Sequence, residues 1–180
     1  MVMKKIPLTQ GKVALVDDED FDELSKWKWQ ASPARRADGT IRTWYAARSI
    51  RAGDRKRWVG MHRQILGVDD PRVDIDHSDG DGLNNQRSNI RRATRQENLR
   101  NQRKSSGCSS QYKGVYNHRV GKKRWQAMIN DGPVGKTGVA RRRSLGYFSS
   151  ESDAARAYDK AASESFGEFA LLNLPTEVCR

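Results

Sequence analysis

Residues 149–167, SSESDAARAYDKAASESFG, carry the clearest helical period in the chain. Ala154, Ala155, Tyr158, Ala161 and Ala162 fall on one face at helical spacing. Ser149 or Ser150 can cap the helix, and its first turn is acidic. Alanines make the apolar face flat, so whatever covers it must come close. A sheet can do that. KGVYNH, KRWQAMIN and RRRSLGYF precede the helix and read as three short strands, joined by GKK and by DGPVGKTGVA. The expected unit is a three-stranded antiparallel sheet packed on one helix, over residues 112–175, with 176–180 as a tail. KSSGCSSQ before it is small and polar, as a linker is, with 105–111 at its centre.

That unit leaves more than half of the 180 residues for another. KVALVDDEDFDELSKWKWQA (12–31) opens with a strand, passes through acids into a short helix, and ends with Trp27 and Trp29 alternating as in a strand. TWYAARSIR (43–51) and KRWVGM (56–61) read as two strands around a tight turn at Gly53-Asp54, and HRQILG as a helical turn. The tryptophans are expected in the core. The fold class is α+β, and residues 1–104 form the first domain.

Charge says what such a chain meets. Lys and Arg number 34 against 22 Asp and Glu, a net charge of +12. A polyanion is the expected partner, with nucleic acid ahead of an anionic membrane surface. Six basic residues and one acid lie in 91–104, and eight and one in 119–143. No apolar run approaches a membrane span and the N-terminus has no apolar signal core. A soluble, cytoplasmic protein that does not enter membranes is expected. Cys108 and Cys179 form no CxxC pair, which argues against a zinc ribbon or a disulfide framework.

Residues 74–98, DIDHSDGDGLNNQRSNIRRATRQEN, are where chemistry can be placed. A strand ends near His77, a Gly- and Asn-rich loop follows, and a second strand begins near Ser88. Thr94 and Glu97 form a capping box for a helix to about Asn101, with Leu99 inward and Arg95 and Arg100 outward. Cutting a phosphodiester needs a base, a cation and a scaffold. Neutral imidazole suits the first, and carboxylate and amide oxygens suit a hard divalent ion. Asp76 and His77 point to opposite faces of an extended strand, so they serve one site only if the chain turns there. From the residues alone, a polar turn whose Asp and Asn side chains bond their own backbone stands beside the metal site.

Asp76-His77, the GxxLNN run at 80–85, Ser88-Asn89-Ile90-Arg91, Ala93-Thr94 and Glu97-Asn98 together resemble the HNH nucleases. They are most similar to the phage-type homing endonucleases that end the motif in Asn. The resemblance implies a ββα-metal core at 74–101. His77 would be the general base, Asn89 would orient it, and Asp76 and Asn98 would hold one divalent ion, Mg2+ or Mn2+. Arg91, beside the motif, would clamp phosphate oxygens, and Arg92 and Arg95 would meet DNA. Met61-His62-Arg63 also fits the family, though His62 by itself reads as a residue packing a short helix. Ser78 departs from an apolar position.

Tyr112-Lys113-Gly114-Val115, Trp125-Gln126-Ala127, Leu145-Gly146-Tyr147-Phe148, Ala154 to Asp159, and Phe166-Gly167 with Leu172-Asn173 resemble the AP2 DNA-binding domain. That resemblance implies a sheet laid in the major groove, with Lys113, Trp125 and Arg142 toward DNA and Arg143 beside them. Tyr116 stands where plant members have arginine. Met128, Asn130 and Ser144 also differ, so no plant-like base preference carries over. The N-terminal third resembles the region before the motif in phage and bacterial HNH–AP2 proteins, where its strands would brace the nuclease core. The expectation is a metal-dependent endonuclease acting on double-stranded DNA, in a bacterium or phage-infected cell. It would nick one strand per site as a monomer or weak dimer. The alternative is a DNA-binding regulator with a vestigial motif.

Overall fold

The structure, a computed structural model, describes residues 2–104, 107–118, 122, 124–134 and 140–174; for residues 52, 132–134, 140 and 141 it describes the backbone alone. The fold is mixed α+β, with antiparallel sheets and helices in two compact units, 1–98 and 99–180. No helix among the described residues is long and apolar enough to cross a membrane.

The first unit begins with a hairpin of β1 (Met3–Pro7) and β2 (Val13–Asp17), followed by α1 (Asp18–Ser25). A three-stranded sheet comes next: β3 (Gln30–Arg35), β4 (Ile41–Ala52) and β5 (Arg55–Gly60), with β4 central. After the short α2 (Met61–Ile65), β6 (Asp74–His77) pairs with β7 (Ile90–Ala93), and α3 (Arg95–Arg100) follows. Ile6, Val16, Leu24, Trp29, Ala46, Met61 and Ile90 share one core. Trp29 is buried, its indole N–H donating to the Leu24 carbonyl at 2.8 Å. Trp27 and Trp58 depart from the expected core placement, at 44% and 58% exposed.

The N-terminal hairpin grips the loop between β6 and β7. Leu15 N–H donates to the Leu83 carbonyl at 2.9 Å, and Asn85 N–H to the Leu15 carbonyl at 2.8 Å. The buried Asp17 carboxylate accepts from the Gln86 amide at 3.0 Å and from the Arg87 N–H at 2.7 Å. Arg87 closes on Asp20 at 2.9 and 2.7 Å. A polar loop that would otherwise fluctuate is thus held at both edges.

In the second unit β8 (Val115–Asn117), β9 (Trp125–Val134) and β10 (Ala140–Phe148) form an antiparallel sheet in the order β10-β9-β8, and α4 (Glu151–Phe166) packs on it. The expected alanine stripe is the packed face: Ala154, Ala155, Tyr158, Ala161 and Ala162 are buried, and Ser150 caps the helix by accepting from the Asp153 N–H. Close approach is enforced at Gly114 (φ +74°), where a Cβ would sit 2.0 Å from the Tyr158 ring. After α4, Asn173 returns to the sheet, its side chain accepting from the Lys113 N–H at 2.6 Å and donating to the Lys113 carbonyl at 3.1 Å. The expected connector DGPVGKTGVA is shorter than read. Its start extends β9 to Val134, and residues 135–139 lie outside the described residues. So do Gly121 and Lys123 of GKK, and the tail.

Candidate active site and nucleic-acid faces

β6 and β7 pair Asp76 with Arg91 and His77 with Ile90. β6 stays extended through His77 and the chain turns directly after it, Gly80 N–H donating to the His77 carbonyl at 2.9 Å. Asp76 and His77 therefore leave the end of one strand on opposite sides.

On one side, the His77 ring is 5% exposed. It lies 5.2 Å from His62, edge to face, and 5.6 Å from Tyr45. Burial pushes the His77 imidazole below its ordinary pKa; the neighbouring Asn85 side chain, then Asp79, Asp76 and Asp81, pull the other way. His62 is driven down to about 3, first by burial, then by His77 and Arg63. Both rings are neutral near pH 7. Gly82 lets the loop close over this cluster: a Cβ there would lie 2.5 Å from the Trp44 carbonyl and the Tyr45 ring.

Asn89 does its work on the loop. Its amide oxygen accepts from the Asp79 N–H at 3.1 Å, and its nitrogen donates to the Asp79 carboxylate at 3.0 Å and the Asn84 carbonyl at 2.7 Å. The side chain expected to orient His77 fixes the turn that follows it, while Asn85, fully buried, is the amide beside the imidazole.

On the other side, Asp76 is 4% exposed, and Arg91 donates to its Oδ2 from Nε at 3.0 Å and Nη2 at 2.7 Å. Asp74 shares that face two residues earlier. It accepts from the Asn98 amide at 3.1 Å and pairs with Arg95 at 3.5 Å. Asp76, Asp74, Arg91 and Asn98 therefore share one side of the hairpin. A carboxylate and an amide oxygen there are donors that fit a hard divalent cation. Among the described residues no three His, Cys, Asp or Glu side chains gather into a metal-holding group. α3 is started by the expected box: Thr94 N–H donates to Glu97 at 2.7 Å and Glu97 N–H to Thr94 Oγ1 at 3.3 Å. Leu99, expected inward, is 48% exposed. Arg100, expected outward, stacks on Phe166 at 4.5 Å. Arg92 is exposed and donates to the Leu66 carbonyl at 3.1 Å.

The sheet of the second unit has two faces, and the expected DNA-facing residues divide between them. Ala127 and Ile129 face α4, so Gln126, Met128 and Asn130 face away from it. Their cross-strand partners Tyr116, Tyr147, Ser144 and Arg142 share this open face. Gln126 links its neighbours there, bonding His118 at 2.5 Å and donating to Ser144 at 3.1 Å. Trp125 is on the helix side, packed against the cluster of Val115, Ala127, Ala154 and Ala155. Arg143 also lies on that side, opposite Ile129 and paired with Asp131. Lys113 turns inward and donates to the Arg100 carbonyl and, at 2.8 Å, the Gln102 carbonyl; burial lowers its pKa to about 8. Of the sequence-read contacts on this sheet, Arg142 and Tyr116 are on the open face, and Lys113, Trp125 and Arg143 are not.

Reading the sequence did not single out Tyr45 or Asn85. Asn85 sits in the LNN run, but nothing marks it over Asn84. Tyr45 reaches His77 only because β4 lies beside the loop, which no local pattern announces. Comparison with family models, with curated proteins and with solved structures returned no match.

Proposed function

We propose that this chain is a divalent-metal-dependent endonuclease of the HNH kind, acting on double-stranded DNA and nicking one strand at each site. The observation that carries the reading is a buried neutral imidazole at the end of a strand whose preceding residue is a buried carboxylate, within a strand–loop–strand–helix unit. β6 is extended through His77, so the two side chains would reach one phosphodiester only at the strand end, from opposite sides, where the chain turns directly after His77. His77 takes the proton of the attacking water at its ring nitrogen, a task for which neutrality near pH 7 is required. Tyr45 packs against the ring, and Asn89 holds the turn that follows it. Asp76 and the Asn98 oxygen would hold the cation, Mg2+ or Mn2+. When bound, that ion supplies positive charge against the phosphorane and the leaving oxygen. Arg91 holds Asp76 in place, and its guanidinium is of the type that clamps a phosphate.

The second unit supports the DNA assignment through the open face of its sheet, where Arg142, Asn130, Tyr116 and Tyr147 are accessible. A sheet of this kind presents its side chains to a groove in the manner of AP2 domains, and that family remains our reading for this unit. A cytoplasmic setting in a bacterial or phage-infected cell follows from the same reading.

A second reading draws on the Arg91–Asp76 ion pair. Both charges of that pair are engaged within the protein, as in a DNA-binding regulator that no longer cuts. Incubating the chain with supercoiled plasmid in Mg2+ and in EDTA separates the two. The endonuclease gives open-circular product in Mg2+ alone; the regulator binds in both and gives none.

A further inference from the structure

The hairpin of β4 and β5 projects a face that the proposed nuclease chemistry does not use. Its register is regular from Ala47↔Gly60 to Ala52↔Arg55. Opposed residues of an antiparallel pair share a face, so Ser49 with Trp58, and Arg51 with Lys56, make one stripe. All four are exposed, Trp58 at 58%. The opposite stripe, Arg48, Ile50 and Val59, is half-buried, with Arg48 stacked on Trp27 at 4.0 Å and bonded to Gln64 at 3.1 Å. The open stripe is thus the one that packs on nothing in its own unit.

Its charge is one-sided. Residues 48–58 hold five cations and one acid. Arg57 pairs with Asp69 at 3.1 Å, whereas Arg51, Arg55 and Lys56 have no ion-pair partner among the described residues. An exposed run of charge usually serves solubility. A large indole left bare beside Arg51 and Lys56 on the same stripe does not, since it would remain wet at a cost in apolar surface.

The stripe continues the sheet face that meets His77. Tyr45, two residues before Ala47 on β4, lies on it and touches His77 and His62. Six residues separate Tyr45 from Arg51, a span of about 20 Å. That is about six base-pair rises at ~3.4 Å each. A two-stranded ribbon fits the major groove of B-form DNA.

We propose that the β4–β5 hairpin is a DNA-binding ribbon, entering a groove of the duplex about half a turn from the phosphate held at His77. Trp58 packs against the groove wall, and Arg51 and Lys56 meet phosphates. The position relative to the cut rests on the endonuclease reading; the ribbon's contact with DNA does not.

The test uses the full chain, a labelled 40-bp duplex of arbitrary sequence, and anisotropy titrations across a range of salt. The Arg51→Ala/Lys56→Ala variant is expected to bind more weakly, and its salt slope to shrink by about 2, for two phosphates at ~0.9 each. In acrylamide quenching, DNA should protect one tryptophan in the wild type, and that protection should vanish in Trp58→Phe, an aromatic-for-aromatic change at an exposed position that keeps the fold. An unchanged slope overturns the proposal, as does equal protection in Trp58→Phe. Stronger competition by an RNA duplex of the same length also overturns it. Nicking of plasmid is scored separately. A chain with a hairpin-dependent slope and no nicking supports the ribbon and defeats the endonuclease reading.

Discussion

Burial sets the protonation of the two imidazoles beside Tyr45. His62 ordinarily takes a proton near pH 6.5, and in the fold holds off until about 3. Between those values the unfolded chain binds more protons, so this contribution to stability is complete above about 6.5 and is lost as pH falls toward 3. At about 1.4 kcal/mol per unit, the loss is on the order of a few kcal/mol. Urea unfolding at pH 7 and pH 4.5 should show a smaller drop in His62→Gln than in the wild type; equal drops would contradict it. Asn85 is the other residue with large leverage. It is fully buried beside His77, its amide donates to the Leu83 carbonyl at 3.1 Å, and its backbone is tied to Leu15. Replacing it by Leu leaves the polar groups around it unpaired, at about 1–3 kcal/mol. The variant should lose midpoint stability and nicking together. Asn89→Ala frees the turn after His77, and should lower nicking while leaving affinity for the duplex unchanged.

Elements whose signals are local were legible in the sequence. α3 starts where Thr94 and Glu97 close a capping box, and α4 buries the alanine stripe that its spacing announced. β6 and β7 flank a loop rich in Gly and Asn, as expected. Elements that depend on a distant partner were not. β1 is a strand because β2 is there to pair with it; MKKIP has no pattern of its own. The DNA-facing positions come from the AP2 resemblance, which does not by itself assign a face: Arg142 and Arg143 are consecutive on β10 and so point to opposite sides of the sheet, and Trp125 lies on the helix side. Lys113 has no sequence signal for its carbonyl partners at the end of α3. A structural lysine is tested by Lys113→Met: thermal unfolding should fall, with the salt slope of DNA binding unchanged. A slope reduced by about 1 would make it a phosphate contact instead.

The whole molecule carries a charge of +12. Affinity for duplex DNA should therefore fall linearly with salt on logarithmic axes. Reversing Arg142 to Glu on the open sheet face should weaken binding in anisotropy titrations without changing the fold. Binding alone is common to any basic chain of this kind, and cutting is what divides the readings. The most direct measurement is conversion of supercoiled plasmid to open circle in Mg2+, with wild type and His77→Ala compared at equal DNA occupancy. The account predicts nicking by the wild type, none in EDTA, and none by His77→Ala despite retained binding. Full nicking by His77→Ala, or none by the wild type in Mg2+ or Mn2+, would contradict it.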